Sequence, residues 1–126
     1  IGVAHPKQVK NIFTLLKQEF DILKIAAHMH DTRGFALCNI QEALECGVKV
    51  FDSSIGGLGG CPYATGSSGN VATEEVNHLM QSLGLNTGVS TPGLLETSSW
   101  VSEQLGKALK SKFYLAQPTK LFYDET

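Results

Sequence analysis

Residues 23–30 read Leu-Lys-Ile-Ala-Ala-His-Met-His, and this octapeptide decides the fold class. It is short, apolar almost to its end, and follows an amphipathic stretch. A run of this kind suits a strand covered on both faces, as in parallel sheets flanked by helices. Side chains at i and i+2 of a strand point the same way. A strand here therefore sends His28 and His30 out together from its C-terminal end, with Asp31 and Thr32 following at the exit.

Outward from this stretch the pattern alternates. Upstream, Pro6 suits a first helical turn, and Val9, Ile12, Phe13, Leu16 and Phe20 recur at helical spacing, which predicts a helix over 6–20. Downstream, Leu37, Ile40 and Leu44 predict a helix within 34–46 that Gly47 stops. Cys38 and Cys46 read as small apolar fillers on it. Residues 48–53, VKVFDS, form the second predicted strand, and a glycine-rich loop follows over 54–70. The next helix is expected over 73–83, with Thr73 as its N-cap and Glu74 and Glu75 facing the positive end of the dipole. A last helix opens at Thr91-Pro92 with Leu94, Val101, Leu105 and Ala108 on one stripe and Trp100 packed. Residues 1–110 are read as one domain portion and 111–126 as an unassigned tail.

Helix and strand in alternation mean parallel strands joined by helical crossovers, an α/β fold. Two such strands leave faces and edges open. A complete α/β barrel takes about 250 residues, against 126 here, and residue 1 is Ile rather than Met. The expectation is therefore a piece of a larger α/β unit.

The formal net charge of −2 argues against nucleic acid or an anionic membrane as partner, since both select clustered Lys and Arg. No apolar run reaches transmembrane length and no secretory signal opens the sequence. Cys38, Cys46 and Cys61 lack CxxC spacing, which points to neither a disulfide framework nor a zinc ribbon. An intracellular, reducing compartment is expected.

Three features carry chemistry. A bare His-x-His pair more often caps a strand than binds metal, but its place at a strand exit favours a metal. The loop at 56–64, GGLGGCPYA, holds four glycines within five positions. Gly57, Gly59 and Gly60 let the backbone turn tightly and approach a ligand, presenting Cys61 ahead of Pro62. It is no phosphate cradle, lacking both a terminal Lys-Ser/Thr and GxGxxG spacing. Asn70 alone reads as a turn or cap residue, yet its amide oxygen could complete a hard metal site. His, Asn and carboxylate ligands together suit Mg²⁺ or Mn²⁺ better than structural zinc.

Taken together, His28-Met29-His30-Asp31-Thr32, Asp52-Ser53-Ser54, Gly57-Leu58-Gly59-Gly60-Cys61-Pro62-Tyr63-Ala64, Ser68-Gly69-Asn70 and Ala72-Thr73-Glu74 resemble the hydroxymethylglutaryl-CoA lyase family. The Cys-Pro-Tyr-Ala loop is the specific part; the His-x-His strand is shared with isopropylmalate and citramalate synthases. The resemblance implies the C-terminal part of a (β/α)₈ TIM barrel, strands seven and eight with flanking helices. It implies His28, His30 and Asn70 as metal ligands, Mg²⁺ or Mn²⁺ as the metal, and Cys61 and His28 as catalytic groups. It also implies an acyl-CoA substrate, a homo-oligomer, and residence in the cytoplasm of a bacterium or the mitochondrial matrix of a eukaryote. The family's metal-binding Asp and catalytic Arg, at the end of its first strand, match nothing in this sequence. The expected partner is therefore the missing N-terminal half of the barrel, and these residues alone are expected to be inactive. The implied reaction cleaves 3-hydroxy-3-methylglutaryl-CoA to acetyl-CoA and acetoacetate in a retro-Claisen sense. A bond-forming synthase and a non-catalytic fragment are the alternatives.

Overall fold

The computed structural model describes residues 1–60 and 69–117. In chain order the elements are α1 (Pro6–Glu19), β1 (Ala26–His28), α2 (Ala36–Glu45), β2 (Val50–Asp52), α3 (Thr73–Ser82), α4 (Thr91–Leu105) and α5 (Lys112–Leu115). Short 3₁₀ turns precede β1 at Ile22–Lys24 and follow β2 at Ile55–Gly57. The strands pair in parallel, Ala26 with Val50, Ala27 with Phe51 and His28 with Asp52. The α/β alternation is as expected.

The strand expected over 23–30 is shorter. The Asp21 side chain accepts the Leu23 N–H at 3.1 Å and caps a turn there, a local bond that competes with strand extension. Leu23 stays exposed and only Ala26–His28 joins the sheet.

One face of the sheet is packed. Ala27 joins Val9 and Phe13 of α1, Ala43 of α2 and Val48 in one core cluster, which Met29 and Phe51 flank. A second cluster beneath the same Met29 and Phe51 joins Ala36 and Ile40 of α2 to Val71, Val76 and Met80. The other face, carrying Ala26, His28, Val50 and Asp52, is open. Burial is thus one-sided among the described residues, and several predicted stripe positions differ from expectation. Ile12, Phe20, Leu105 and Trp100 are exposed, Cys38 is exposed, and Ala108 lies beyond the end of α4.

Helix ends follow their local chemistry. At the end of α2, Gly47 N–H donates to Leu44 O and Val48 N–H to Ala43 O, the paired bonds of a Schellman stop. Gly84 and Leu85 repeat this after α3. Ala72, not Thr73, is the N-cap of α3; the Thr73 hydroxyl instead bonds Ser53 Oγ at 2.9 Å. The expected tail begins as structure: Ser111 is buried and opens α5, and Ser111 Oγ donates to Glu75 at 2.8 Å. Among the described residues no helix is long and apolar enough to cross a membrane.

Candidate active site

His28 ends β1 beside Asp52, which ends β2. Register partners in a sheet present their side chains to the same face, and here Asp52 Oδ1 contacts His28 Nδ1. His30 lies two residues on, its ring centroid 5.1 Å from that of His28 at an interplanar angle of 64°. The two imidazoles therefore meet edge to face, close enough to share one cation. His30 Nδ1 is buried with no hydrogen-bond partner among the described residues. Burial lowers the His30 pKa from its ordinary value, helped by His28. Neutral imidazole, the form that ligates metal, is thus favoured.

Asn70 comes to the same place through backbone pairing. Asp31 N–H donates to Gly69 O and Val71 N–H to Met29 O, both at 3.1 Å, which sets His30 and Asn70 opposite each other in an isolated antiparallel bridge. Residues opposed without a direct bond between them carry the closest side chains of a ladder. Asn70 Nδ2 donates to Leu58 O at 3.0 Å, which commits the amide nitrogen and leaves Oδ1 as its acceptor oxygen. Gly59 makes this possible: at φ +98°, with Asn70 Nδ2 2.8 Å from where a Cβ would stand, no side chain fits. Gly57 is buried and Gly60 exposed beside it. Cys61, with Pro62, Tyr63 and Ala64, lies outside the described residues.

The start of the loop is gripped from behind. Glu74 and Ser98 are both fully buried. The Gly56 N–H donates to both Glu74 carboxylate oxygens, each at 3.0 Å, and Ser98 Oγ donates to Glu74 Oε1 at 2.6 Å. Lys110 N–H closes on Gly56 O at 3.2 Å. A cavity of about 400 Å³ opens beside Asn70 and Gly57, with Asp31, Glu75, Lys110 and Lys112 on its wall. Its size is that of a small-molecule pocket.

The donors fit a divalent cation. His28 Nε2, the unpartnered His30 ring and Asn70 Oδ1 are two nitrogens and one oxygen on adjoining backbone. Among the described residues no group of three or more His, Cys, Asp or Glu gathers as a metal site. A cation held here would therefore draw its remaining oxygen ligands from elsewhere.

A profile of the HMGL-like family matches residues 1–101. The chain belongs to that family. It is 47% identical over 112 residues to the hydroxymethylglutaryl-CoA lyase YngG of Bacillus subtilis, covering 89% of this chain and 38% of that protein. It is 44% identical over 119 residues to the mitochondrial hydroxymethylglutaryl-CoA lyase of Homo sapiens, covering 94% of this chain and 36% of that one. Among solved structures, an Acinetobacter baumannii HMG-CoA lyase in complex with coenzyme A and 3-methylmalate superposes with a TM-score of 0.88 at 34% identity, over 97% of this chain and 40% of the other. The chain thus spans a little over a third of the length of these relatives.

Two residues of the site escaped sequence reading. Asp52 was legible only as part of a motif; its contact with His28 exists only through strand register. Glu74 resembled a solvated first-turn acid, because nothing local reveals that Ser98, far along the chain, covers it.

Proposed function

We propose that this chain carries the His-His-Asn corner and the cysteine loop of a hydroxymethylglutaryl-CoA lyase, cleaving 3-hydroxy-3-methylglutaryl-CoA to acetyl-CoA and acetoacetate. The observation that carries the reading is the gathering of His28, His30 and Asn70 at the exits of two parallel strands, where α/β barrels place their chemistry. His28, His30 and Asn70 would hold Mg²⁺ or Mn²⁺, which when bound acidifies the substrate's tertiary hydroxyl as a Lewis acid. The hydroxyl proton passes to a base, which is His28 if its ring is not on the cation and otherwise a group of the missing half. As that oxygen becomes the carbonyl of acetoacetate, the carbon–carbon bond breaks and its electron pair passes to the acetyl-CoA enolate. Cys61 S–H then protonates the enolate carbon. Lys110 and Lys112 share the adjoining cavity wall with Asp31 and Glu75, a mixed polar lining for a small-molecule substrate.

The open edges of the two-stranded sheet support a barrel completed by further strands, in which these are the seventh and eighth. A second cavity, of about 480 Å³, runs along Val50 and Phe51 of β2 to Met80 and Val89, and an added strand and helix would fill it. Residues 1–126 alone are accordingly expected not to turn over. A mitochondrial or bacterial cytoplasmic setting follows from the same reading.

The test is the full gene product with Mg²⁺ and 3-hydroxy-3-methylglutaryl-CoA, followed by acetoacetate release. Turnover that chelation abolishes and Cys61→Ser cuts at least about 100-fold is the expected result. Condensation of an acyl-CoA with a 2-oxo acid, without lyase turnover, would replace this reading with the synthase.

A further inference from the structure

The two histidines of the site are not equivalent. His30 Nδ1 has no partner among the described residues, whereas His28 Nδ1 meets the Asp52 carboxylate. We infer that Asp52 is the positioning residue of His28: it receives the Nδ1–H, fixes that tautomer and ring orientation, and leaves Nε2 for the ligand side. This rests on the reading of His28 as a metal ligand.

Three observations carry it. His28 and Asp52 are register partners at the last position of each strand, so the contact is built by the sheet rather than by two flexible side chains finding each other. Both stand on the open face, where the rings of His28 and His30 also meet edge to face. The nitrogen that Asp52 engages is Nδ1; a carboxylate cannot donate, so the proton of the pair sits on the imidazole and Nε2 is its free lone pair. An exposed ion pair is a weak source of stability, and stability is not the role assigned. A histidine that binds metal through one nitrogen commonly donates through the other to a carboxylate, which orients the ring and raises its basicity. Asp52 gives His28 that arrangement, which no described residue gives His30 Nδ1, so His28 is the more firmly oriented and more basic of the two ligands.

The experiment uses the full gene product labelled with ¹⁵N-histidine, together with Asp52→Asn, Asp52→Ala and His28→Ala. Long-range ¹H–¹⁵N correlation reads the His28 tautomer without metal, and Mn²⁺ titration followed by electron paramagnetic resonance reads affinity. Wild type is expected to show the Nδ1–H form. Asp52→Asn, whose amide can donate to Nδ1, is expected to move the ring toward the Nε2–H form, and Asp52→Ala to lose the fixed Nδ1–H form; both weaken Mn²⁺ binding about 10- to 100-fold. An Nε2–H form in the wild type overturns the proposal. So does an Asp52→Ala affinity within twofold of wild type when His28→Ala has lost it. If Asp52→Ala does not fold, Asp52→Asn that keeps both the Nδ1–H form and wild-type Mn²⁺ affinity also overturns it. If His28→Ala binds Mn²⁺ as wild type does, the ligand reading itself falls and this proposal falls with it.

Discussion

β1 and β2 end side by side, with His28 next to Asp52, yet the segments leaving the two strands are held in opposite ways. After β1, polar groups are left with bonding capacity to spare: His30 Nδ1 is unpartnered among the described residues, and His28 is half exposed. After β2, capacity is used up. Gly56 gives its N–H to a fully buried carboxylate and its carbonyl to Lys110, while Leu109 lies against its Cα. One exit keeps valences for a ligand; the other spends them on holding a loop origin still. The difference teaches where to look for function in such a chain. A buried group with every bond made is frame, and a clustered group with bonds unmade is a candidate for chemistry.

The comparison breaks most readily at Glu74. Glu74→Ala removes the acceptor of Gly56 N–H and of Ser98 Oγ, both in buried surroundings. One unsatisfied buried donor and one lost charge-assisted bond together cost about 2–4 kcal/mol, read as a lower denaturant midpoint of the full-length protein. Glu74→Gln should recover part of the loss, because an amide oxygen in the place of Oε1 can accept both Gly56 N–H and Ser98 Oγ but without the charge. A midpoint unchanged by either substitution would show that the β2 exit is no firmer than the β1 exit.

Gly56→Ala probes the same grip from the backbone side. Gly56 sits at φ +59°, and a Cβ there would fall 2.7–2.8 Å from three side-chain atoms of Leu109. Left-handed backbone costs an alanine about 1–2 kcal/mol and displacing a packed leucine adds to it, so a loss of about 2–3 kcal/mol is expected. In a Leu109→Ala background, itself destabilised, Gly56→Ala should cost less, by the packing part alone; no cost at all there would assign everything to Leu109 and nothing to φ.

Much of the frame was legible and the reasons are local. Pro6 opens α1, and Gly47 and Gly84 close α2 and α3, because caps depend on a few adjacent residues. The strand pair was legible from apolar runs, but not its limits: Asp21 diverts Leu23 into a turn by a bond that no periodicity reveals. Of the candidate site, His28, His30 and Asn70 could be named, since His28 ends β1, His30 follows two residues on and Asn70 lies on a recognisable loop. Asp52, Glu74 and the docking of Ser111 on Glu75 could not, because each is defined by a partner at least 20 residues away in sequence.

At the β1 exit the expected stability effects are small and the binding effects large. His30→Ala removes a ring that makes no described hydrogen bond through its buried nitrogen. Its stability cost should not exceed about 1 kcal/mol, while Mn²⁺ affinity should fall at least about 10-fold as a ligand is lost. The two readouts separate frame from site: a large unfolding shift with unchanged Mn²⁺ affinity would move His30 to the same side of the comparison as Glu74.

The smallest effect is the pH dependence that His30 contributes, and its sign comes from the same unspent bond. Burial, and after it the neighbouring His28, lower the folded-state pKa of His30. The unfolded chain, with an ordinary histidine near about 6.5, therefore binds the proton more readily than the folded one. Wherever the unfolded state holds more protons, stability rises with pH. The His30 contribution is thus fully present above the unfolded pKa and is lost as pH falls through the folded value. Since the ring is only partly buried, solvent keeps the effect modest. Comparing denaturant midpoints of wild type and His30→Ala from pH 7.5 to pH 5 isolates it, because the other histidines and the carboxylates titrate in both. Wild type should lose more stability on acidification, and the gap between the curves should stop changing above about pH 7. Mn²⁺ affinity should fall over the same range, as protons compete for the imidazole. Parallel stability curves would mean that His30 finds a partner for its buried nitrogen in the full-length protein, and the contrast between the two strand exits would then rest on His28 and Asp52 alone.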